Sequence, residues 1–554
     1  MTHPVKDSSP VAPSTSGNSP HSRRRLRRIL IWVSSILGVL VIAALIAGDI
    51  LLHKANPILK AKVIDTLSTR FDSRVELDKF QVSLLKGFQV SGSGLKLYPN
   101  HLQIDAPLIA VDHFSFRVLG WRQLLSTPLL IHHVQVNGLS IHMPPKDQRA
   151  NMPHLNDNQK PGEDQSHAGI KVKVVEIDVD QANLVIENGK PNKVPLTFVI
   201  HKLVLKSVAA GQPMKFHATL VNPKPIGNID SSGEFGPFNT SSPGDTDVRG
   251  TYSFSHADLN TIKGIGGMLA STGSYKGQLD NITVDGETTT PNFSLDLANH
   301  SLPLNTKFHA IVDGTNGDTW LQPVDAWLRN THIIAKGEIV RVPNVQGRDI
   351  RLDVTVDPGH IEDLLYLADK DPQPLMNGPV TLHTQFDLPP GPQPVPEKLR
   401  LKGNFQLLDI HFSNPKIQSK VDELSLRGQA HPKKAQDEGD ALKNGNNQAA
   451  TAADVASEMR GNFTLGGGKV DLSTLNYRVP GAEVALQGAY DITNQTLDFT
   501  GKARLDAHVS QMVTGWKSWL LKPVDPFFAK DGAGTQVPIK ISGSSSHPNI
   551  GLNF

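Results

Sequence analysis

Strict alternation of apolar and polar residues is the feature that most restricts this chain. Ile170-Lys171-Val172-Lys173-Val174 alternates without a break, and after a one-residue slip at Val175 the pattern resumes as Ile177-Asp178-Val179-Asp180. Successive side chains of a β-strand point to opposite faces, so these segments place apolar residues on one side of a sheet and charges on the other. Phe293-Ser294-Leu295-Asp296-Leu297, Leu352-Asp353-Val354-Thr355-Val356, Phe386-Asp387-Leu388 and Ile539-Lys540-Ile541 repeat the pattern far along the chain. Between such segments stand Val136-Asn137-Gly138, Val312-Asp313-Gly314, Thr315-Asn316-Gly317 and Leu465-Gly466-Gly467-Gly468. Gly and Asn take positive φ at little cost, which predicts hairpins and antiparallel pairing. A glycine also opens a strand around Gly250, Gly337, Gly403 and Gly461, at spacings too irregular for a fixed-period solenoid.

The N-terminus has a different character. Met1 to Ser22 is rich in Ser, Pro, Asn and Thr and holds too little apolar surface to offset the entropy of ordering it. Arg23, Arg24, Arg25, Arg27 and Arg28 follow, then an uncharged stretch from Ile29 to Ala47 that Ile50, Leu51 and Leu52 extend past Asp49. At 1.5 Å per residue such a helix comes close to spanning a ~30 Å hydrocarbon core. The arginines lie on its N-terminal flank, so the positive-inside rule places Met1 in the cytoplasm and exports the chain from about His53 onward. Leu45-Ile46-Ala47-Gly48 offers no clean small-x-small cleavage site, which favours an uncleaved anchor over a signal peptide.

Helices are expected to be few in the exported part. Pro57 to Arg70 carries Ile58, Val63, Ile64 and Leu67 at helical spacing; Pro358 to Asp369 carries Ile361, Leu364, Leu365 and Leu367. Val509 to Leu521 sets Val509, Met512, Val513, Trp516, Trp519 and Leu520 on one face, and a short helix is also expected over Ala257 to Leu269. Pro144 to Ala168 and Ala430 to Ser457 are polar and read as exposed loops or partly disordered insertions.

Little in the sequence points to chemistry. Fifty-five Lys and Arg against 53 Asp and Glu leave a net charge of +2, no field to steer nucleic acid. Without a cysteine, disulfides, thiolate metal sites and a Cys nucleophile are excluded. Serine-hydrolase elbows, H-E-x-x-H, Walker loops and dinucleotide fingerprints are missing. His132 and His133 sit in one apparent strand, where neighbours face opposite sides and do not chelate one metal. Asp178 and Asp180 share a strand face and read as solvated, and Asp313 to Asp318 reads as a hairpin turn rather than a calcium loop. No enzyme activity, catalytic residue, metal site or cofactor is expected.

Several blocks nevertheless carry a likeness. The arginine cluster and membrane helix lead to Arg74-Val75-Glu76-Leu77-Asp78 and Val90-Ser91-Gly92-Ser93-Gly94-Leu95; the middle holds Phe308 to Thr319. The end holds Tyr477-Arg478-Val479-Pro480-Gly481-Ala482, Gly488-Ala489-Tyr490-Asp491, Gly515-Trp516-Lys517, Pro523-Val524-Asp525-Pro526-Phe527-Phe528 and Val537-Pro538-Ile539-Lys540-Ile541-Ser542-Gly543. In these blocks the chain resembles the AsmA-like family of Gram-negative envelope proteins. The resemblance implies an inner-membrane, single-pass anchor, a periplasmic β domain and a role in outer-membrane biogenesis, with membrane phospholipid as the partner carried in an apolar groove. The alternative it leaves open is a non-enzymatic factor that modulates assembly or insertion of outer-membrane proteins, with those proteins or envelope assembly factors as partners; a hydrolase ranks last.

The expected fold is therefore mainly β, one N-terminal transmembrane helix followed by an elongated, antiparallel, curved β-groove or sandwich with a few short helices. Its divisions are a cytoplasmic tail with basic flank (1–28), the membrane helix (29–52), an N-terminal AsmA-like β region (53–143), a polar loop (144–168), a central β-groove region (169–429), a polar insertion (430–457) and an AsmA-like C-terminal region (458–554). Val172, Val174, Ile177, Val179, Phe293, Leu295, Leu297, Leu352, Val354, Val356, Phe386 and Leu388 are the expected lining of the apolar interior. An upper limit of about 30 strands at ~4.8 Å gives a length on the order of 140 Å.

Overall fold

A computed structural model describes residues 56–552 apart from 84–87, 101–105, 119–128, 145–171, 188–194, 210, 238–242, 297, 299, 315, 343–344, 346, 369, 371, 448–452, 515–521, 523–533 and 546. The expected tail and membrane helix lie outside the described residues. Among those described, no helix is long and apolar enough to cross a membrane.

The alternating segments form strands. In chain order they are β1 (Ser73–Glu76), β2 (Lys79–Ser83), β3 (Phe88–Pro99), β4 (Ile109–Val118), β5 (Leu129–Met143), β6 (Val172–Ile186), β7 (Leu196–Ala209), β8 (Met214–Pro223) and β9 (Ile226–Phe235). The middle holds β10 (Asp247–Asp258), β11 (Ile265–Gly266), β12 (Met268–Gln278), β13 (Asn281–Leu295), β14 (Ser301–Val312), β15 (Thr319–Leu328), β16 (Thr331–Arg341) and β17 (Arg348–His360). The rest are β18 (Met376–Asn377), β19 (Pro379–Leu388), β20 (Arg400–Phe412), β21 (Ser457–Gly466), β22 (Lys469–Val479), β23 (Ala482–Asp491), β24 (Thr496–Leu505), β25 (Thr535–Ser544) and β26 (His547–Leu552).

All 26 join one sheet, almost entirely by pairing with sequence neighbours. β1 and β2 both pair with β3, β11 lies in line with β12 against β13, and β18 in line with β19 against β20. The strands thus make 23 rungs, and spacings of ~4.8 Å give a contour of roughly 105 Å. No pairing among the described residues joins the first rung to the last, so the sheet is unclosed.

One pairing departs from the antiparallel expectation. β5 and β6 run parallel, with Leu129 opposite Val172 and Met143 opposite Ile186. Parallel neighbours need a connection long enough to return along the strand, and the polar stretch after Met143 supplies that length.

Among the described residues five α-helices accompany the sheet: α1 (Asn56–Phe71), α2 (Ile361–Ala368), α3 (Val395–Lys398), α4 (Pro415–Gly428) and α5 (Pro432–Lys443). α1 and α2 meet expectation, although α1 buries Leu59, Val63, Leu67 and Phe71, a strict i, i+4 stripe, and leaves Ile58 exposed. The polar insertion is corrected, because α5 occupies much of it. The helix expected over Ala257 to Leu269 is only a 3-10 turn, Leu259–Thr261, between strand residues, with the Asp258 carboxylate accepting from Asn260 N at 3.0 Å. Val509–Met512 is likewise a 3-10 turn, Val513 is extended and Thr514 is non-helical; the rest of that expected helix, 515–521, lies outside the described residues. The glycines expected to open strands, Gly250, Gly337, Gly403 and Gly461, stand inside theirs.

The sheet is curved and coiled. Val395 of α3, in the β19–β20 connection, lies against Gly264 in the turn after β10, seven rungs away. Strands rotate by roughly 20–25° per step, so about half a turn accumulates over that distance.

A candidate apolar trough

Directly opposed residues of paired strands share a face of the sheet. Following those partners from rung to rung gives one row: Val82, Val90, Phe116, Val134, Ile177, Leu205, Phe216, Gly233, Gly250, Tyr275, Val284 and Ala310. It continues through Leu321, Gly337, Leu352, Phe386, Leu401, Leu465, Val470, Tyr490, Leu497, Gly543 and Pro548. The row crosses every rung, and its only polar atoms outside the backbone are two phenol oxygens. Tyr275 Oη meets Ser231 Oγ at 2.8 Å, and burial raises the Tyr275 pKa. Tyr477, outside the row but three positions along the same face from Val470 in β22, is pushed up to about 12 by burial.

Coverage of this face changes along the sheet. Over β1 to β6 it is a filled core, in which the buried stripe of α1 shares one cluster with Val90, Leu95, Leu97, Phe116, Val134 and Ile177. Beyond β6 the row's larger side chains, Phe216, Tyr275, Val284, Leu321, Leu352 and Phe386, are half-buried. Among the described elements, α2 and α4 pack onto this part, both at the edge where β10, β13, β15, β17, β20, β22 and β24 end. α2 covers Leu302, Leu328, Val356 and Val380; α4 covers Val479, Ala482, Val484 and Leu505. The opposite edge consists of connections such as Asp313 to Asp318, a tight turn as expected, where Gly317 N donates to Asp313 O at 2.6 Å. The result is a long apolar strip walled on one side by helices and half-covered by its own curvature.

Glycines narrow the strip at fixed places. A Cβ on Gly286 would stand 2.7 Å from Phe308 Cζ and 2.7 Å from Tyr252 Oη, so aromatic rings lie over the bare backbone there. Gly337, at φ +149°, has no room at all: its Cβ would meet Arg351 O at 2.0 Å.

The polar face is laced with cross-strand pairs. Lys206 reaches Glu176 (3.3 Å), Arg351 reaches Glu338 (3.3 Å) and Arg400 reaches Asp387 (3.7 Å). Exposed pairs of this kind contribute at most about 1 kcal/mol each. Their larger effect is on register, since a one-residue slip would turn these charges inward.

The expected lining residues divide by their cover. The registers put Val174, Ile177, Val179, Phe293, Leu295, Leu352, Val354, Val356, Phe386 and Leu388 on the one apolar face. Val174, Ile177 and Val179 belong to the filled core, Val356 lies under α2, and Phe293 and Leu295 adjoin α2. Leu352, Val354, Phe386 and Leu388 lie in the half-covered strip. Val172 begins β6, its side chain outside what is described, and Leu297 lies outside the described residues. Tyr252, Tyr275, Val284, Phe308 and Leu321 were missed because their same-face neighbours Gly250, Gly273, Gly286, Thr306 and Thr319 interrupt the apolar alternation that marks a strand, whereas Phe216, in the clean alternation Met214-Lys215-Phe216-His217-Ala218, was legible and was overlooked.

The sequence also gave no sign that His133 meets acidic partners. The parallel β5–β6 pairing brings His133, Glu176 and Asp178 within 4.8 Å of one another, enough to hold a divalent cation. Asp178 is therefore paired rather than merely solvated: His133 Nε2 lies 3.0 Å from its Oδ2. The same kind of pair recurs at His309–Asp285 and His383–Asp353, and Glu176 takes Lys206, so ordinary cross-strand pairing accounts for the cluster.

Comparison with family models, curated proteins and solved structures finds no match to this chain.

Proposed function

We propose that this is an AsmA-like, inner-membrane-anchored protein whose periplasmic β domain supports outer-membrane biogenesis by holding or passing phospholipid along the apolar strip. The observation that carries the reading is the uncharged row crossing every rung, half-covered beyond β6. A packed core would bury such side chains, and a soluble sheet would not leave an apolar face this long in water. Acyl chains are the natural cover: they are apolar, flexible and able to follow a coiled strip without directional bonds. Movement along the row would be passive, since no step in it requires a reacting group.

The test is lipid analysis of the full chain with photoactivatable acyl chains. Crosslinks to β12–β24 that map to Tyr275, Leu352, Phe386 or Leu497 support the reading; crosslinks confined to polar-face residues sink it. The second reading, an assembly factor acting through an exposed edge strand, rests on β26. That edge is only six residues long and carries Pro548, which cannot donate to an added strand, so it is the weaker reading.

A further inference from the structure

At the turn between β16 and β17 the apolar face ends in two arginines. Outward from Gly337 opposite Leu352, the next pairs on the same face are Ile339 opposite Ile350 and Arg341 opposite Arg348. Among the described strand residues that the registers place on this face, these two are the only charged ones. Like charges directly opposed across a strand pair repel, and such a pair is destabilising unless something else is gained.

The surroundings fix one arginine and leave the other without a bond. Arg348 Nη1 donates to Asp318 Oδ1 at 3.0 Å and Nη2 donates to Asn316 O at 3.2 Å. The same Asp318 oxygen accepts the backbone N–H of Arg341 at 2.9 Å, while the Asp313 carboxylate takes Asn316 Nδ2 at 2.8 Å. The Arg341 guanidinium donates to no described acceptor. Arg341 is exposed, yet partial desolvation first, and then the charge of Arg348, hold its pKa below the ordinary guanidinium value, against the opposing pull of Asp318 and Asp313. It stays cationic at neutral pH all the same. An unbonded guanidinium carried directly across the strand pair from a second one, at the end of an apolar strip, is suited to an oxyanion that offers several acceptor oxygens.

We propose that Arg341 and Arg348 bind the phosphate of a phospholipid whose acyl chains lie on Ile339, Ile350, Leu352 and Leu388. The site rests on the lipid-holding reading above and names the part of the lipid that is recognised. The phosphate relieves the arginine–arginine repulsion, and the chains continue inward along the row. Phosphatidic, zwitterionic and anionic phospholipids all satisfy it; a diacylglycerol of the same chains does not.

The experiment uses the full chain incubated with phosphatidylethanolamine–phosphatidylglycerol vesicles that carry a trace of either diazirine-acyl phosphatidylethanolamine or diazirine-acyl diacylglycerol. Crosslinking to the peptide holding Ile350 and Leu352 is the readout. Arg341→Gln with Arg348→Gln is expected to lower the phospholipid adduct about tenfold and leave the diacylglycerol adduct unchanged. Arg341→Gln alone breaks no bond seen in the structure, so it keeps the fold and is expected to give a smaller loss in the same direction. Equal adducts in the wild type and both variants would overturn the site, as would equal losses for the two probes. Suppression of the adduct by millimolar inorganic phosphate, with tight binding of phosphate itself, would overturn the lipid source in favour of a free anion. Val354→Asp separates the two levels: it is expected to lower both adducts alike, and if it leaves both unchanged, acyl chains do not run inward past Leu352 and the strip-holding reading fails, whatever the arginines do.

Discussion

Val354 and Val356 are two residues apart on one strand, point to the same face and differ in cover, which makes them a sensitive pair for testing what fills the strip. Val356 is 1% exposed and packs beneath α2 with Val380, Leu407 and Ile410. Val356→Asp forfeits roughly 1.5–3 kcal/mol of valine burial and adds an unpaired buried carboxylate, for a total on the order of 5 kcal/mol. Val354 is only half-buried, opposes Thr384 and Ala335, and is outside the clusters formed by the described helices. An aspartate there can reach water along the strip, so the expected cost falls to about 0.5–1.5 kcal/mol, the range of ordinary substitutions. Urea unfolding monitored by hydrogen exchange of β16, β17 and β19 measures both, and acyl-chain crosslinking on the same samples measures lipid. The expected outcome is a folded Val354→Asp protein that has lost its lipid, beside a Val356→Asp protein that is locally unfolded. Equal destabilisation of the two, with no selective loss of lipid, would mean that side chains alone fill the strip.

Three further outcomes follow from the packing. Leu67→Ala removes a fully buried side chain of α1 and should cost about 2–5 kcal/mol, read as faster exchange in β1 to β6 while β22 to β25 keep their protection. Gly286→Val should cost about 1–3 kcal/mol by forcing Phe308 and Tyr252 aside, whereas Gly466→Ala, with nothing within 4 Å of the added Cβ, should be neutral in the same denaturation assay. Asp422 and Glu438 have raised pKa values, each from burial first, with the Asp422 charge adding to that of Glu438. An acid whose folded pKa is raised gives its full stability below the unfolded value near 4 and loses it as pH rises through the folded pKa. Limited proteolysis of α4 and α5 should therefore be faster at pH 8 than at pH 5, and Asp422→Asn should flatten that slope; an unchanged slope in the variant would remove Asp422 as its source.

The strands were legible because a sheet with one wet and one dry face writes itself as period-two alternation, and Val172 to Ile186, Arg348 to His360 and Pro379 to Leu388 all do so. α4 was not legible. Its buried side carries Gln418, Ser419, Asp422 and Ser425 beside Val421 and Leu426, with specific bonds such as Ser425 Oγ to Pro480 O at 2.7 Å and Val455 N to Asp422 Oδ1 at 2.9 Å, while Asp422 Oδ2 is left buried without a described partner. Hydropathy sees a polar segment, because the partners that make those residues burial-compatible lie 33 to 55 residues away. α5 buries only Ala435 and Glu438, too little to mark a stripe. Conversely, the apolar spacing over Val509 to Leu521 predicts a helix where Val513 is extended, since a period of 3.6 over so few residues does not outweigh local turn chemistry. The face of the strip could be read from single strands, but its continuity could not, because the row is a property of register and register is set between strands.

The lone parallel step between β5 and β6 has a consequence for the whole molecule. In an antiparallel meander each strand reverses the chain, so the parity of the strand count decides at which border a given connection emerges. Two parallel neighbours skip one reversal. Had β6 paired antiparallel to β5, every later connection would exchange borders, and α2 and α4 would stand opposite α1. With the skip, all three helices line up on one border, and the turn bearing Arg341 and Arg348 falls on the other. Elongation obeys the same rule: adding a hairpin lengthens the sheet by about 10 Å and preserves this handedness of assembly, whereas adding a single strand would invert everything downstream of it.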